Sequence, residues 1–562
     1  MKTRSVLVNF PGIPFSLAAL LPNRQLASLA GCLLEAGHLA RIQDYGTLTL
    51  IDRLYPRQFG KAASTMLRTV FDRARQNPVT VLQSLWQSHC ADRAFRERQE
   101  AVCEEVAAEI AAMAGLHFVV FSANDADDLA AAALISQKLK AMRPRIRVLV
   151  MGVYPALWGE IALEHLSFDA VLDGENEMFA VDWAERIHEH ESWRKVPGLI
   201  WRRNGRALRN GTGSEETSAL PPPTYSPDVY PAMRHGGKIK LFTVEDSRGA
   251  QWPCHARPRT TGGARLKTAH AVCDEIWRLG SVHGARVFHL TGANVSAMHT
   301  HAVAGAINDR KMNILYSRDG HVPFASETLF AMLRRSGCVS LSFNVPTGSQ
   351  RLLDQQYGRD LGVSQIETAL RACRAAGLYT VTRLTYPSPE DDHQTLAETL
   401  RLLDRSRPDA ALVTLPEILP FSAWFARAAE FGFSVDARRL ARKALTPRYR
   451  FPLPANRWRV PSYGIGRLTP GQVIQAHEEL IREIELRGIY SNVSEEMALL
   501  AGFSGYNGRE GEFSRGIEHA LLAGDLAKVD DMITNFNYKA CVPSKALVCN
   551  HQAPVKAAAG NF

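Results

Sequence analysis

The stretch Val244–Pro258 carries a dense group of residues that could do chemistry. It reads V-E-D-S-R-G-A-Q-W-P-C-H-A-R-P and follows a short apolar run, Lys238–Thr243, that predicts a β-strand. Cys254 could act as a nucleophile or a metal ligand, and His255 as an acid or base near neutral pH. Arg257 could hold a carboxylate. We therefore treat this loop as the centre of a candidate site.

Cysteine thiolates hold metal clusters, and the chain has nine cysteines. No two of them are spaced as C-x-x-C, which argues against a structural zinc site. Their odd number and wide spacing favour reduced thiols, most of them buried in the core. Cys254 could also be a thiol without a reaction of its own. The nine are Cys32, Cys90, Cys103, Cys254, Cys273, Cys338, Cys373, Cys541 and Cys549.

Six strand-like runs, each followed by a helix-like stretch, predict a partial (β/α)6 barrel around this loop. In such a barrel the chemistry lies at the carboxyl ends of the strands. His289 falls near one of these ends and is a candidate acid or base, with a packed, hydrogen-bonded histidine as the alternative. The runs are Lys238–Thr243, Arg286–Leu290, Ile314–Ser317, Val339–Val345, Tyr379–Leu384 and Ala411–Leu415.

Before this barrel, five short runs rich in β-branched residues alternate with helix-length segments. This alternation predicts a parallel, Rossmann or flavodoxin-like sheet with helices on both faces. Ligands of such sheets lie outside the carboxyl ends of the strands. The runs are Val6–Phe10, Leu39–Gln43, Phe118–Ser122, Val148–Gly152 and Ala170–Leu172.

The loop after Thr243 resembles the cluster loop of the radical S-adenosylmethionine (SAM) enzymes, S-R-G-C-x-x-x-C-x-x-C. Ser247–Gly249 and Cys254 match this pattern, whereas Ala250 and Arg257 stand at the first and third cysteine positions. One thiolate beside a guanidinium is not a cluster site. We therefore expect no [4Fe–4S] cluster, and we expect Arg257 to hold a carboxylate of SAM or of the substrate.

Five N-terminal pieces are similar, in order and spacing, to the cobalamin-binding domain fused to one class of radical SAM enzymes. They are residues 26–44, 118–124, 148–156, 168–177 and 196–205. The resemblance implies cobalamin across the carboxyl edge of the sheet. Because the D-x-H-x-x-G motif is missing, we expect no histidine below the cobalt. The implied cobalamin-binding residues are Ser122, Asn124, Asp125, Gly152, Val153, Tyr154, Gly174 and Glu175. The alternative is a plain flavodoxin-like sheet with another ligand or none.

Other ligand-facing loops of the barrel also depart from the radical SAM pattern. Pro346 replaces an acidic residue that helps to hold SAM in the family, and Thr291 and Asn294 lie where Asp-Asp-x-Phe is usual. Change at several such loops, with the strands intact, indicates altered function. The candidate partners of SAM or substrate are Ser247, Arg257, Thr291, Asn294 and Arg318.

The chain divides into a cobalamin-binding domain (1–205), a linker rich in Gly, Ser, Thr and Pro (206–235), the barrel (236–430) and a mainly helical C-terminal extension (431–562). In the extension, Pro470–Arg487 predicts an amphipathic helix. Trp458, Tyr463 and Tyr490 could line a substrate pocket or form a packing layer.

Composition narrows the class of protein. The 562 residues are 46% apolar, and the net charge of +9 is scattered without a basic run. These features predict a globular protein that does not bind nucleic acid. We see no apolar run of the about 18–20 residues that span a membrane and no signal sequence, so we expect a cytoplasmic protein.

The leading hypothesis is an enzyme that uses cobalamin and SAM without an iron–sulfur cluster. It would carry out polar cobalt chemistry on a small-molecule substrate and would need a reductant for cobalamin. Methyl transfer from SAM and cyclisation of SAM both fit. Cys254, His255 and His289 are the candidate catalytic residues. The alternative is a non-catalytic cobalamin-binding carrier, sensor or partner subunit.

Overall fold

The computed structural model describes residues 2–60, 63, 66–67, 78–174, 177–189, 192–211, 220–234, 237–249, 254–258, 263–292, 296–358 and 361–541. In these ranges the chain forms two large sheets, one of seven strands and one of six. Cys549 and residues 542–562 lie outside the described residues, as do Ala250, Glu175 and Asn294.

The N-terminal sheet has the strand order β2-β1-β3-β4-β5-β6-β7. Its first five strands are parallel and the last two are antiparallel. The predicted parallel sheet is therefore confirmed, with each predicted strand within two residues of its observed bounds. The strands are β1 (Arg4–Asn9), β2 (Leu39–Asp44), β3 (Phe118–Ser122), β4 (Arg147–Met151), β5 (Ala170–Leu172), β6 (Leu199–Arg203) and β7 (Arg206–Arg209).

The central sheet has six parallel strands in the order β15-β14-β13-β12-β11-β8. This arrangement confirms the predicted strand–helix repeat. Two short antiparallel pairs, β9 with β10 and β16 with β17, lie outside it. The strands are β8 (Phe242–Glu245), β9 (Ser247–Arg248), β10 (Arg265–Leu266), β11 (Val287–Thr291), β12 (Leu315–Gly320), β13 (Cys338–Asn344), β14 (Tyr379–Thr385), β15 (Ala410–Thr414), β16 (Phe433–Val435) and β17 (Tyr463–Ile465).

The prediction for the first barrel strand was wrong in its position. The sequence predicts Lys238–Thr243, whereas β8 spans Phe242–Glu245. Lys238 instead forms a buried ion pair with Asp44 of the N-terminal sheet, 2.7 Å from Nζ to Oδ2. The next residue donates its backbone N–H to Leu20 O. These contacts hold the segment against the N-terminal sheet, so it cannot pair with β11.

Helices surround both sheets. They span Arg24–Glu35, Leu48–Leu54, Pro78–Ala111, Ala126–Met142, Val153–His165, Glu177–Arg186, Ala269–His283, Ala297–Asp309, Glu327–Arg335, Gln350–Gln355, Val363–Ala375, His393–Ser406, Ala423–Ala426, Ala437–Ala444, Ala455–Trp458, Pro470–Leu486, Glu495–Phe503, Glu510–Ala523 and Leu526–Cys541. The predicted amphipathic helix of the extension is observed from Pro470 to Leu486, with Val473, Leu480 and Ile484 buried.

One described segment, Leu17–Glu35, has the length and mean hydropathy of a membrane span. The sequence analysis did not find it, because Pro22–Gln25 interrupt its apolar residues and only an average over the whole segment is apolar. In the structure it is a short 3-10 turn followed by the helix Arg24–Glu35, and 61% of it is buried in the protein. Leu26, Leu29 and Leu33 pack in the core beside the N-terminal sheet.

The two faces of the central sheet meet different partners. Leu290, Leu341 and Phe343 share an apolar cluster with helix residues such as Val303 and Phe330. We call this the outer face. The opposite, inner face packs against the helix Glu495–Phe503, which contacts β12, β13 and β14. The C-terminal extension therefore fills part of the barrel interior.

The extension also contacts helices beside the N-terminal sheet. Backbone N–H groups of Arg448 and Tyr449 donate to Oδ1 of Asp127, at 2.8 and 2.9 Å, and that of Phe451 donates to Asp92. Tyr449 and Phe451 then join an aromatic cluster that includes Phe15 and Phe95. The chain after the barrel thus packs on the central sheet and beside the N-terminal sheet.

Candidate functional site

His289 lies on the inner face of the central sheet. Its Nδ1 forms a 2.9 Å hydrogen bond with Oγ of Ser317, its neighbour in register on β12. Its Nε2 is 3.4 Å from Oε1 of Glu496 in the C-terminal extension. The ring is held on both sides, which fixes its orientation in the barrel interior. This is the arrangement of an oriented acid or base.

Charged side chains surround His289. Arg383 on β14 lies between two carboxylates: its Nη1 is 3.4 Å from Oδ1 of Asp319, and its Nη2 donates to Oε1 of Glu495. The side chains of Arg383 and Asp319 are 39% and 30% exposed, whereas that of Glu495 is 2% exposed. Burial raises the pKa of Asp319 above its usual value, although Arg383 opposes this change. These groups form a polar site inside the barrel.

Serines on β13 extend this polar site. Ser340 Oγ donates to the backbone oxygen of Glu495 at 2.8 Å, which places Ser340 on the inner face. Because side chains two residues apart in a strand share a face, Ser342 also points inward, and it is in register with Asp319. Its hydroxyl is buried and has no hydrogen-bond partner among the described residues. It is therefore an unsatisfied polar group on the inner face.

Arg318 lies on the other side of the sheet. It is in register with the outward-facing Leu290 and Leu341. Its Nη2 donates to Oδ2 of Asp246 at 3.1 Å and approaches Thr300 of the helix Ala297–Asp309 at 3.5 Å. The predicted SAM partner Arg318 is thus in a buried cluster between sheet and helix, apart from His289.

Ser247 and Thr291 come together beside this cluster. The Ser247 hydroxyl donates to Oδ1 of Asp246 at 2.7 Å, and the backbone N–H of Asp246 donates to Thr291 O. A side chain at Gly292 would meet Ser247 Oγ at 2.2 Å, so the two loops pack tightly. Asn294, the remaining candidate of this loop, lies outside the described residues.

The segment Cys254–Pro258 packs elsewhere on the barrel. Cys254 is partly buried against an apolar cluster that contains Trp158, Tyr357 and Trp424. The His255 backbone accepts from Trp424 N and donates to Tyr357 O, and its ring is 5.2 Å from that of Phe431. These contacts hold the segment by its backbone and apolar side chains.

Arg257 is exposed at the end of this segment, and its backbone N–H donates to Cys254 O. Within the described ranges, no group of three or more His, Cys, Asp and Glu side chains is arranged to hold a metal ion. The structure thus does not bring Cys254, His255 and His289 into one described cluster. Only His289 among them contacts the polar site in the barrel interior.

The S-R-G motif joins the two sheets through Arg248. Its guanidinium contacts Glu177 of the N-terminal half at 2.5 and 3.0 Å and Glu245 at 2.7 Å. Ser28 donates to the same Glu177 carboxylate. Arg24 adds contacts to Glu245 and to Glu275 from the N-terminal side. This buried network fixes the start of the candidate loop against the N-terminal sheet.

At the carboxyl edge of the N-terminal sheet, two predicted cobalamin residues have structural partners. The Ser122 hydroxyl is buried and accepts from Asn23 Nδ2 at 3.3 Å. Asp125 caps the helix Ala126–Met142 by accepting from the backbone N–H of Asp128. Asn124 is exposed beside it, and its backbone N–H donates to the Asp128 carboxylate.

Gly152 begins the next loop of this edge with a positive φ of 122°. An added side chain would lie 2.2 Å from the carbonyl oxygen of Ala123, so only glycine allows this close approach. Val153 and Gly174 are exposed. The Tyr154 hydroxyl is buried without a hydrogen-bond partner among the described residues. Glu175 lies outside them.

These residues could contact a ligand at the carboxyl edge. Asn124, Val153 and Gly174 form an exposed rim, and the Tyr154 hydroxyl could donate to a polar group of the ligand. Phe421 and Phe425 are also exposed nearby: the guanidinium of Arg209 lies over the Phe421 ring, and Phe425 contacts Trp158. The chemistry of these residues is compatible with cobalamin.

The three aromatic residues of the extension make hydrogen bonds within the protein. Trp458 Nε1 donates to Leu453 O, the Tyr463 hydroxyl donates to Pro416 O, and the Tyr490 hydroxyl donates to Gly508 O. Each polar atom is therefore used within the protein.

Solved structures share the overall fold of this chain. The chain superposes on TsrM of Kitasatospora setae, a radical SAM methyltransferase with tryptophan and a SAM analogue bound, with a TM-score of 0.58. The match covers 78% of this chain and 79% of that chain, at 14% identity. Another TsrM structure, with cobalamin and a [4Fe–4S] cluster bound, gives 0.57. This is the fold of the cobalamin-dependent radical SAM enzymes.

OxsB, a cobalamin-dependent SAM radical enzyme with aqua-cobalamin bound, has the same fold, with a TM-score of 0.52 at 14% identity. That match covers 87% of this chain and 62% of that chain. Among curated proteins, cytidylyl-2-hydroxyethylphosphonate methyltransferase of Streptomyces wedmorensis is 22% identical over 280 residues. These are 42% of this chain and 51% of that protein, so the chain spans about half the length of this relative. No protein-family model matches the chain.

The sequence analysis missed most of the polar site inside this radical SAM-type barrel. Asp319 follows Arg318 directly, and strand alternation could have placed it on the opposite face. Ser494 followed by two glutamates is a helix-start signal, which marks the helix but not its position in the barrel. Arg383 lies within a correctly predicted strand, and its inward orientation follows only from the register.

Proposed function

We propose that this protein is an enzyme that uses cobalamin and SAM in a non-radical, cobalt-mediated alkyl transfer. The reaction would be methyl transfer from SAM to a small molecule or cyclisation of SAM itself. The fold it shares with TsrM and OxsB supports the two cofactors. The observation that carries the enzymatic assignment is the charged site around His289 and Arg383, which a carrier of cobalamin does not need.

Cobalamin would lie on the rim formed by Asn124, Val153 and Gly174, with Tyr154 donating to it. When bound and reduced by an external reductant, it would supply a cobalt centre that takes an alkyl group from a sulfonium carbon. The protein's own share is to bind and orient the reactants and to exclude water. Buried Arg248 and its partners hold the candidate loop in place for this purpose.

Both candidate reactions release one proton. Methyl transfer converts SAM and a substrate X–H into S-adenosylhomocysteine, X–CH3 and a proton. Cyclisation converts SAM into a cyclic amino acid, methylthioadenosine and a proton, because a new ring bond replaces the broken sulfonium–carbon bond. His289 can take this proton at Nε2, where the Glu496 carboxylate at 3.4 Å would stabilise the imidazolium while Ser317 accepts from Nδ1–H. We assign His289 as the base on this geometry.

We propose a non-radical reaction because the loop lacks the cysteine ligands that an iron–sulfur cluster needs. Ala250 and Arg257 stand at two of the three cysteine positions, and a guanidinium cannot ligate iron. Cys254 is left as a single thiol packed against an apolar cluster. The exposed Arg257 would bind a carboxylate of SAM or substrate.

The test is an anaerobic reaction of the protein with cobalamin, titanium(III) citrate and SAM, analysed by mass spectrometry. We expect S-adenosylhomocysteine or methylthioadenosine without 5′-deoxyadenosine, and one cobalt per chain without stoichiometric iron. Arg383→Gln should abolish the product and keep cobalamin bound. Arg371→Gln, which alters an exposed pair with Glu367, is the matched control and should keep the product.

Two results would overturn the proposal. Stoichiometric iron and sulfide, together with 5′-deoxyadenosine, would restore the radical mechanism. Bound cobalamin without any SAM-derived product would favour the non-catalytic carrier, sensor or partner subunit.

A further inference from the structure

We propose that the barrel interior binds a protonated amine, with Glu495, Asp319 and Ser342 as its acceptors. The ammonium group would come from SAM or from a separate amine substrate. This inference deepens the proposed function, because it takes the barrel interior as the substrate site and adds the chemical class that the site selects.

The charges of the inner face leave a negative excess. Asp319 on β12 and Glu495 and Glu496 on the C-terminal helix are three carboxylates; Arg383 contacts the first two, and His289 contacts Glu496. The N-terminus of the helix Glu495–Phe503 offsets roughly half a charge. A ligand cation would therefore be stabilised here by at least one carboxylate that Arg383 does not neutralise.

Two acceptors lack partners within the described part of the chain. Glu495 Oε2 is buried without a hydrogen bond, although its Oε1 accepts from Arg383. The hydroxyl of Ser342 is buried and unbonded on an independent element, the strand β13. Buried polar atoms usually have partners, since leaving one unpaired is unfavourable. An ammonium group has three N–H donors, which suits this set of acceptors.

Arg383 does not make the site bind anions. Its guanidinium already contacts Asp319 and Glu495, so its charge is compensated on both sides. A ligand carboxylate at this position would face Glu495 and Glu496 without a free cation. The inner face should therefore discriminate against anions as well as favour ammonium groups.

The test uses two probes of nearly equal size, benzylamine and benzyl alcohol, whose binding to the cobalamin-loaded protein is measured by saturation-transfer NMR at pH 7.5. Benzylamine is an ammonium ion at this pH and should bind about tenfold more tightly. Glu495→Gln and Asp319→Asn should each remove most of this preference. Glu512→Gln, on an exposed position of another helix, is the matched control and should preserve it.

Competition with SAM identifies the source of the ammonium group, and both outcomes support the site. Displacement of benzylamine by SAM assigns the site to SAM, and simultaneous binding assigns it to a separate amine. Equal affinity for both probes in the wild type would overturn the inference. So would unchanged benzylamine affinity in both variants, whose folding is checked by circular dichroism. If benzylamine selectivity is absent but a SAM-derived product forms, this inference fails and the proposed function stands. If the selectivity is present but no SAM-derived product forms, only the proposed function fails.

Discussion

Arg248 shows how one side chain can hold a whole loop. Its side chain is 12% exposed, and its guanidinium meets the carboxylate of Glu177, whose side chain is 8% exposed. Arg248→Ala should lower the free energy of unfolding by about 3–5 kcal/mol, because it leaves the Glu177 carboxylate buried without its partner. Urea denaturation followed by circular dichroism measures this loss.

The matched control is Arg310→Ala, which removes an exposed pair with Asp274. Exposed ion pairs contribute little to stability, so this variant should unfold nearly as the wild type does. Equal losses in the two variants would contradict the structural role of Arg248.

Asp391 makes the stability of the protein depend on pH. It accepts from Ser388 N and Thr395 Oγ1, and burial raises its pKa to about 7. In the unfolded chain the carboxyl has its ordinary pKa near 3.9. The folded state therefore holds a proton that the unfolded state has released, and the free energy of unfolding falls as pH rises from about 4 to about 7.

Asp391→Asn should remove this fall, which amounts to about 3–4 kcal/mol of unfolding free energy between pH 4 and 8. Denaturation curves at both pH values measure it. Asp392→Asn is the control: Asp392 is exposed, and its backbone hydrogen bonds lower its pKa, so its effect should appear only at acid pH and with the opposite sign. A wild-type stability that does not change over this range would contradict the assignment to Asp391.

At the scale of elements, the helix Glu495–Phe503 joins the extension to the barrel. Leu500 is 2% exposed and lies in the same apolar cluster as Val287 and Val339 of the sheet. Leu500→Ala should cost about 2–5 kcal/mol of unfolding free energy. Leu486→Ala, at an 80% exposed position, should cost little. Denaturation by urea compares them, and similar costs would show that the helix does not pack in the barrel.

Regular elements could be predicted where they depend on local pattern. The five parallel strands of the N-terminal sheet and five of the six strands of the central sheet follow from β-branched apolar runs, and β3 and β5 have the predicted bounds. The antiparallel strands β6 and β7 were not predicted. The segment at Lys238 could not be placed, because its partner Asp44 is far away in the chain. For the same reason, the positions of Glu495 and Glu496 beside the inner face could not be predicted, because they come there only through tertiary packing.

At the scale of the whole molecule, charges and apolar residues cross between the two sheets. Lys238 pairs with Asp44 at full burial, and Arg248 pairs with Glu177. Apolar residues of both sheets share one continuous cluster. We expect the two sheets to unfold in a single cooperative transition in differential scanning calorimetry. Two separate transitions would show that the sheets are independent.

The helix Glu495–Phe503 supplies two of the three carboxylates around His289 and Arg383, and it belongs to a segment that follows the last strand of the barrel. Part of the selectivity of the site is therefore encoded outside the strands that supply Asp319 and Ser342. Exchange of the stretch 489–541 between related proteins would be a route to a new substrate preference in which no barrel strand has to change.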